Sequence, residues 1–594
     1  MEKWVVKNKK ADFKSIMEQH HVSEILARLM VNRGHETEEE IEEFLSSDLN
    51  RLYDPGSMKD LTLAVDLIEE KIKEKQRIRI VGDYDVDGVI STYVLYKALR
   101  RVGADVDYEI PDRIKDGYGV NISIIEAAQQ EGIDTIITCD NGISAIDQVA
   151  YAKELGMTVI ITDHHDIMFT KEMAWENGIK QEKIVHHIPK ADAVVNPKQE
   201  DCQYPNKGLC GAAVAYKFIL ALYRRCQIPE FEAIDLIQYI SIATVCDVMD
   251  LVGENRIIVK NGLRQLSNTD NFGLKALMDV NAINRDRLSA YHLGFVIGPC
   301  LNASGRLESA KLGLKMLLAD NSKDALDLAI ELKSLNDTRK DLTIQGTGQA
   351  IDQVENSTLK DDLVLVVYLP DCHESLAGII AGRLREKYNK PAIVLTKAEH
   401  GVKGSARSIP EYNIYEELTK CKDLLLKFGG HPMAAGLSLE EDKIEALRKA
   451  LNQNTTLTKE DIIPRISIDI VLPLGYVNEP MIEELELLEP FGKGNSKPIF
   501  AERNVKVLKA NIIGKNANVL KMKVCNAYGR TMEALYFGDI AQFQTDILQK
   551  YSKEDYDAML AGRENAVLLS IIYYPSINEY AGNRTVQIII QSYQ

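Results

Sequence analysis

Four stretches of this sequence place carboxylates or imidazoles where apolar runs end. Asp83, Asp85 and Asp87 fall in DYDVDG, Asp140 opens DNGIS, Asp163, His164, His165 and Asp166 run consecutively in TVIITDHHDI, and Asp247 closes IQYISIATVCD. Ionisable groups beside apolar segments are costly to desolvate unless something pairs or ligates them. The plain alternatives are a polar loop holding two histidines and, for Asp247, a turn cap. A cluster of like charges is unfavourable without a neutralising cation. Several Asp with one or two His form a hard oxygen-and-imidazole set, suited to Mn²⁺, Mg²⁺ or Zn²⁺. The carboxylates outnumber what one ion needs. Two ions roughly 3.5–4 Å apart with a bridging carboxylate would use them, and would suit phosphoester hydrolysis.

The elements that must position these groups are strands. RIRIVG precedes the first acidic cluster, DTIITC precedes Asp140 and MTVIIT precedes the 163–166 stretch, with DVDYEIP and DAVVNP as further short apolar runs. Helical stretches, VISTYVLYKALRR, ISIIEAAQQ and AIDQVAYAKEL, alternate with them, which predicts a parallel sheet with helices on its faces. In open α/β sheets, side chains at the carboxyl ends of the strands face one shared crevice. That shared position carries more weight than any one motif.

On either side of this segment the pattern changes. The N-terminal stretch reads as helical, with Ser23 capping EILARLM and a second short helix over Glu38–Phe44. From Phe231 the chain is mostly helical through about Val354 and ends in a charged amphipathic stretch, SKDALDLAIELKSLNDTRKDLTI, expected as a connecting helix. A second mixed segment starts at DLVLVVYLP. Beyond about Thr455, short strands separated by turn signals, from RISIDIVL to TVQIIIQ, suggest a small closed or partly closed barrel.

The bulk properties fit several soluble domains. A chain of 594 residues exceeds one core, and 45% hydrophobic with 27% charged residues is ordinary globular composition. No secretory signal and no membrane-spanning run is apparent, so an intracellular, cytoplasmic setting is expected. The nine cysteines are scattered without a CxxC pair, which fits reduced thiols. A net charge of −17 argues against diffuse attraction to nucleic acid but leaves room for a local basic groove.

DYDVDG, DNGIS, TDHH and ATVCDVMDL resemble, in order, the four motifs of the DHH phosphoesterase superfamily, and KGSARS and FGGHPMAAG resemble its DHHA1 domain. The spacing and the stretch EPFGKGNSKPIF are further similar to the single-stranded-DNA-specific 5′→3′ exonucleases of that superfamily. The resemblance covers nearly the whole chain. It implies an α/β fold with a parallel-sheet DHH domain over 76–275 after a helical lead-in at 1–75. Beyond it come a helical connector at 276–355, a smaller α/β DHHA1 domain at 356–455 and an OB-like β-barrel domain at 460–594.

By resemblance, Asp85 and Asp87 are metal ligands of the first motif, Asp140 the bridging ligand, and His164 and Asp247 the ligands of the third and fourth motifs. Asp83 is an additional acid that ligates or supports ligands. His165 meets the scissile phosphate or orients the attacking water, and Asp163 supports the histidines. Arg113, Asn302, Arg306, Ser405 and Arg407, with His431 close by, are implied to grip the substrate, Arg being suited to a bidentate hold on a terminal phosphate. The glycines of GSARS and GGHPMAAG would let backbone amides approach phosphate oxygens, although such glycines also serve tight packing turns. Tyr573, Tyr574 and Phe537 are candidate stacking platforms in the barrel.

Two departures from the family pattern stand out. Val81 occupies a position where many members carry His, and Cys300 one where Arg is common, near the expected strand path. The implied cofactors are two divalent ions, Mn²⁺ or Mg²⁺. The implied partners are single-stranded DNA, a single-strand-binding protein and a repair helicase, with the chain a monomer. The competing readings are a DHH phosphodiesterase for short oligoribonucleotides or cyclic dinucleotides, and a non-catalytic nucleic-acid-binding relative. The retained acids argue against the second and the strand-rich tail against the first.

Overall fold

The computed structural model describes residues 2–113, 116–176, 179–398, 401–514, 517–580 and 582–594. The chain forms two compact units, one of residues 48–464 and one joining residues 1–47 to 465–594.

The first unit opens with a parallel sheet. Its strands are β1 (Arg77–Val81), β2 (Asp105–Glu109), β3 (Thr135–Cys139), β4 (Thr158–Thr162) and β5 (Ala193–Val195), in the order β2-β1-β3-β4-β5. Alternate residues feed two cores. Ile78, Ile80, Ile137, Cys139, Ile160, Ala193 and Val195 face helices α1 (Val86–Arg101) and α2 (Gly211–Arg225). Val81, Ile136, Val159, Ile161 and Val194 face the helices over Ile122–Gln130 and Ile146–Glu154. Burial on both faces is why these strands read as continuous apolar runs. The strand order reverses between β1 and β3, and in open α/β sheets that switch point opens the crevice where ligands bind.

Helices then build outward. The helix over Leu61–Lys73, α3 (Ile237–Cys246) and α4 (Gly298–Leu307) all pack on the first core. The expected connecting helix is α5 (Ser322–Glu355), 34 residues long and capped by Asn321, whose side chain accepts the Lys323 and Asp324 amides. Its first turns bury Ala325, Ala329 and Leu332 in the first core. Its last turns bury Ala350 and Val354 against a second sheet, so one helix links both halves of the unit.

That second sheet contains β6 (Leu365–Tyr368), β7 (Ala392–Lys397), β8 (Val402–Arg407), β9 (Lys427–His431) and β10 (Ala434–Leu439), ordered β9-β10-β8-β7-β6. Helix α6 (Ala377–Tyr388) packs on it. The glycine-rich stretches GSARS and GGHPMAAG are therefore antiparallel strands, the second folded as a hairpin. Small residues allow the close pairing of Gly404 with Leu437 and Gly430 with Ala435.

The other unit is a closed barrel. Strands β11 (Ile470–Val471), β12 (Phe500–Ile513), β13 (Val519–Cys525), β14 (Thr531–Tyr536), β15 (Leu568–Tyr580) and β16 (Asn583–Tyr593) form one sheet, and pairing of β12 with β15 closes it. The N-terminal helices belong to this unit: Leu26, Leu29, Met30, Val31 and Phe44 share a core with Leu472, Leu474, Phe500 and Tyr573. Ser23 caps its helix as expected, accepting the Leu26 amide.

Candidate metal centre

The centre is assembled from residues at the carboxyl ends of three neighbouring strands. After β1, Asp85 caps α1, its Oδ1 accepting the Asp87 and Gly88 amides at 2.9 and 3.1 Å. The first turn of α1 then carries Asp87 into the sheet, where its carboxylate accepts the Gly211 and Ala212 amides at 2.6 and 2.7 Å. The N-terminus of α2 thus holds Asp87 by its free N–H groups and its dipole. Asp140, directly after β3, has a left-handed backbone with φ of 62°, which Asp tolerates better than most residues. Gly211 makes room for it, since a Cβ there would lie 2.6 Å from the Asp140 Cβ.

After β4, Asp163 organises the two histidines. Its Oδ1 accepts the His164 and His165 amides at 2.7 and 3.1 Å and lies 2.8 Å from the His165 Nδ1. Its Oδ2 accepts the Ile143 amide at 2.9 Å. Burial alone would push the Asp163 carboxyl up, but these hydrogen bonds and the imidazole charges hold it down at about 2. Burial would likewise depress His165, and the Asp163 hydrogen bond and charge overcome it, raising His165 to about 9. His164 behaves in the opposite way. Burial, and then the neighbouring His165, lower it to about 3, so it is a neutral imidazole.

That neutral ring faces carboxylates. The His164 Nε2 lies 3.1 Å from Asp140 and 3.6 Å from both Asp87 and Asp247. The donor atoms fall into three overlapping groups, Asp83 with Asp85 and Asp140, Asp87 with His164 and Asp247, and Asp140 with His164 and His165, each within 4.8 Å. Burial, reinforced by the other carboxylates, raises Asp83 and Asp247 to about 8 and Asp87 to about 6, and pushes Asp140 well up. Asp83 Oδ1, Asp140 Oδ1, Asp247 Oδ2 and both His164 ring nitrogens are buried without a hydrogen-bond partner among the described residues. Orphaned hard donors around a shared carboxylate fit a pair of divalent cations. The geometry also leaves His165 within ligating reach of the group at Asp140.

The residues expected to grip substrate belong to the same unit, and Arg113 and Arg306 lie close enough to the acids to interact with Asp83 and Asp85. The Arg113 guanidinium lies 4.0 Å over the Tyr84 ring, and its charge acts on Asp83. Arg306 on α4 donates to the Ser375 carbonyl at 2.7 Å. Burial and the charges of Arg113, Arg339 and Arg407 lower it to about 10. Arg407 donates to the Ser405 Oγ at 3.1 Å. Pairing across the second sheet sets Arg407 opposite Ala434, which in turn faces His431. Asn302 lies one turn before Arg306 and is half-buried.

Several groups escaped sequence reasoning. The Tyr118 hydroxyl donates to the Asp140 carbonyl at 2.8 Å and lies 3.2 Å from the His165 Nδ1. Gly211 and Ala212 act through backbone amides, which leave no side-chain signature. Arg339 sits in a helix rich in ordinary charge. Cys300 is fully buried beside Asn281 and Asn336. One expectation needs correction: Tyr573 is also fully buried, donating to the Leu472 carbonyl at 2.6 Å, so it cannot stack on a base. Phe537 is exposed, and Tyr574 is half-buried beneath Lys497.

A switch-point cluster of acids and histidines on a parallel sheet, joined by a long helix to a second α/β domain, defines a DHH-type protein. Residues 77–244 match the N-terminal domain of the DHH family, residues 361–456 the DHHA1 domain and residues 468–592 the RecJ OB domain. The single-stranded-DNA-specific exonuclease RecJ of Bacillus subtilis is 36% identical over 594 residues, taking in 99% of this chain and 70% of its own. That of Haemophilus influenzae is 33% identical over 95% of both chains. A crystal structure of Thermus thermophilus RecJ in complex with Mn²⁺ matches with a TM-score of 0.80 at 25% identity, over 100% of this chain and 79% of that one. The chain belongs to the RecJ family.

Proposed function

We propose that this chain is a metal-dependent exonuclease that degrades single-stranded DNA from its 5′ end to mononucleotides, in recombination and repair. The observation that carries it is a two-ion donor set beside a cluster of guanidinium groups, with Asp85 and Arg306 close enough to affect one another electrostatically. Asp83, Asp85 and Asp140 would hold one ion and Asp87, His164 and Asp247 the other, with Asp140 shared. When bound, such ions acidify water and offset charge on a phosphoryl group.

The chain's own residues do the rest. Arg306, Arg407 and Ser405 hold a terminal 5′-phosphate, with Arg113 alongside, so that the first phosphodiester comes to rest at the acids. His165, held through its Nδ1 by Asp163 at 2.8 Å, faces the phosphoryl group. Its tie to Asp163 fixes the ring's orientation. Exposed Phe537 and the Lys497–Tyr574 pair offer the barrel a surface for bases. Among the described residues no helix is long and apolar enough to cross a membrane. A cytoplasmic monomer working beside a single-strand-binding protein and a repair helicase is the expected setting.

A single strand labelled at either end tests this in the presence of Mn²⁺. Release of the 5′ label as mononucleotide, with stepwise shortening of the 3′-labelled strand, is expected. Release from the 3′ end, or internal cleavage, would contradict it.

A further inference from the structure

Tyr291 and Phe295 are 62% and 67% exposed, yet their rings are ordered against each other, with centroids 5.1 Å apart and planes inclined by 20°. Stacked apolar rings left in water are an unfavourable use of large side chains unless something covers them. Their backbone is unusual as well. A short turn of helix over Ala290–His292 passes into a π turn over Leu293–Ile297 and then into α4, and π turns occur frequently at functional sites.

The inner face of this segment is fixed to the metal centre. A Cβ at Gly294 would lie 3.3 Å from Val245, and one at Gly298 would lie 2.2 Å from the Cys246 Sγ. Cys246 also donates its thiol to the Leu293 carbonyl at 3.5 Å. The segment therefore sits directly on the end of α3 that presents Asp247. The outer face runs in one stripe: Tyr291, Phe295, Pro299, Asn302 and Arg306 recur every three or four residues and all retain some exposure, while Leu293, Ile297, Cys300 and Leu301 are buried. Phe295 lies about 16 Å along the helix axis from Arg306, a span of a few nucleotides.

We propose that Tyr291 and Phe295 form a stacking platform for unpaired bases of the strand, 3′ of the phosphodiester being cut. It rests on the exonuclease reading, because Arg306 at the far end of the stripe marks where the 5′-phosphate is held. Aromatic faces accept any base, which suits an enzyme without sequence preference. A duplex keeps its base faces covered by its own stacking, so the platform favours a single strand over a duplex.

The test uses the full chain with Mn²⁺ on 5′-phosphorylated strands, either intact or abasic at roughly the third to fifth nucleotides. The Tyr291→Ala/Phe295→Ala variant is expected to raise KM about tenfold or more on intact strands and little on abasic ones. The Tyr291→Phe/Phe295→Trp variant should restore it. Quenching of a 2-aminopurine base placed at those positions gives a readout that needs no hydrolysis, and it should be lost in the double alanine variant. Loss of that quenching supports the platform even if no strand is cut, in which case the exonuclease reading alone falls. Hydrolysis with KM and quenching unmoved by the alanines, or with KM raised equally on intact and abasic strands, overturns the platform and leaves the exonuclease reading standing.

Discussion

The adjacent histidines are set to different states, His165 raised by Asp163 and His164 kept neutral by burial and by His165. His165, raised to about 9 by Asp163, has stability in the pair that is fully present below the ordinary imidazole value of about 6.5. That stability is lost as pH rises through about 9. Asp163, held at about 2, contributes stability above the ordinary carboxylate range that is lost only as pH falls through about 2. Replacing Asp163 by Asn is therefore expected to return His165 towards 6.5 in metal-free protein, read by NMR titration of its ring protons. It should also lower turnover about 10- to 100-fold, as loss of a supporting partner does. A His165 titration unchanged in the variant would mean that Asp163 does not govern it.

At the scale of elements, the helix α2 N-terminus and the turn after β3 have to approach within contact distance, and Gly211 is the residue that allows it. Gly211→Ala would drive a methyl group into Asp140, whose Cβ lies 2.6 Å from the added atom, and would disturb the amides that hold Asp87. The expected result is a loss of about 100-fold or more in activity, since small misplacements at a reacting centre cost that much. Overpacking costs about 1–3 kcal/mol of stability. Calorimetric titration with Mn²⁺ separates the two effects, because retained full-strength metal binding would contradict the account. The strand-end acids were legible because buried parallel strands read as unbroken apolar runs with polar ends. The glycine-rich strands β8, β9 and β10 were not, because small residues erase the alternation that marks a strand. From residue pattern alone Asp247 was a buried-looking acid, and only the family resemblance made it a ligand; its meeting with His164 depends on how α3 packs.

At the scale of the whole molecule, residues 1–47 and 465–594 complete one another. The strand Lys3–Val6 pairs in parallel with Arg465–Ile468, and the N-terminal helices bury Leu26, Leu29, Met30 and Phe44 in the barrel unit's core. Each such side chain is worth about 1.5–3 kcal/mol of burial, against a typical domain stability of about 5–15 kcal/mol. A chain beginning at residue 48 is expected to keep a protease-resistant 48–464 unit while its 465–594 segment is rapidly cleaved, as followed by limited proteolysis and mass spectrometry. Equal resistance of both segments would contradict this. No local pattern announces a partnership between the two ends of a chain, so the sequence suggested helices near the start and a barrel near the end without joining them. The family motifs anticipated the order of domains, and geometry supplied the packing within each unit.

In the proposed centre Asp140 is the carboxylate shared by two divalent cations, one of which His164 also holds. Anomalous scattering from crystals soaked in Mn²⁺ tests it most directly. Two peaks are expected, one among Asp83, Asp85 and Asp140 and one among Asp87, His164 and Asp247, and both should vanish or weaken in Asp140→Asn. A single peak unaffected by that substitution, or peaks elsewhere, would contradict the account.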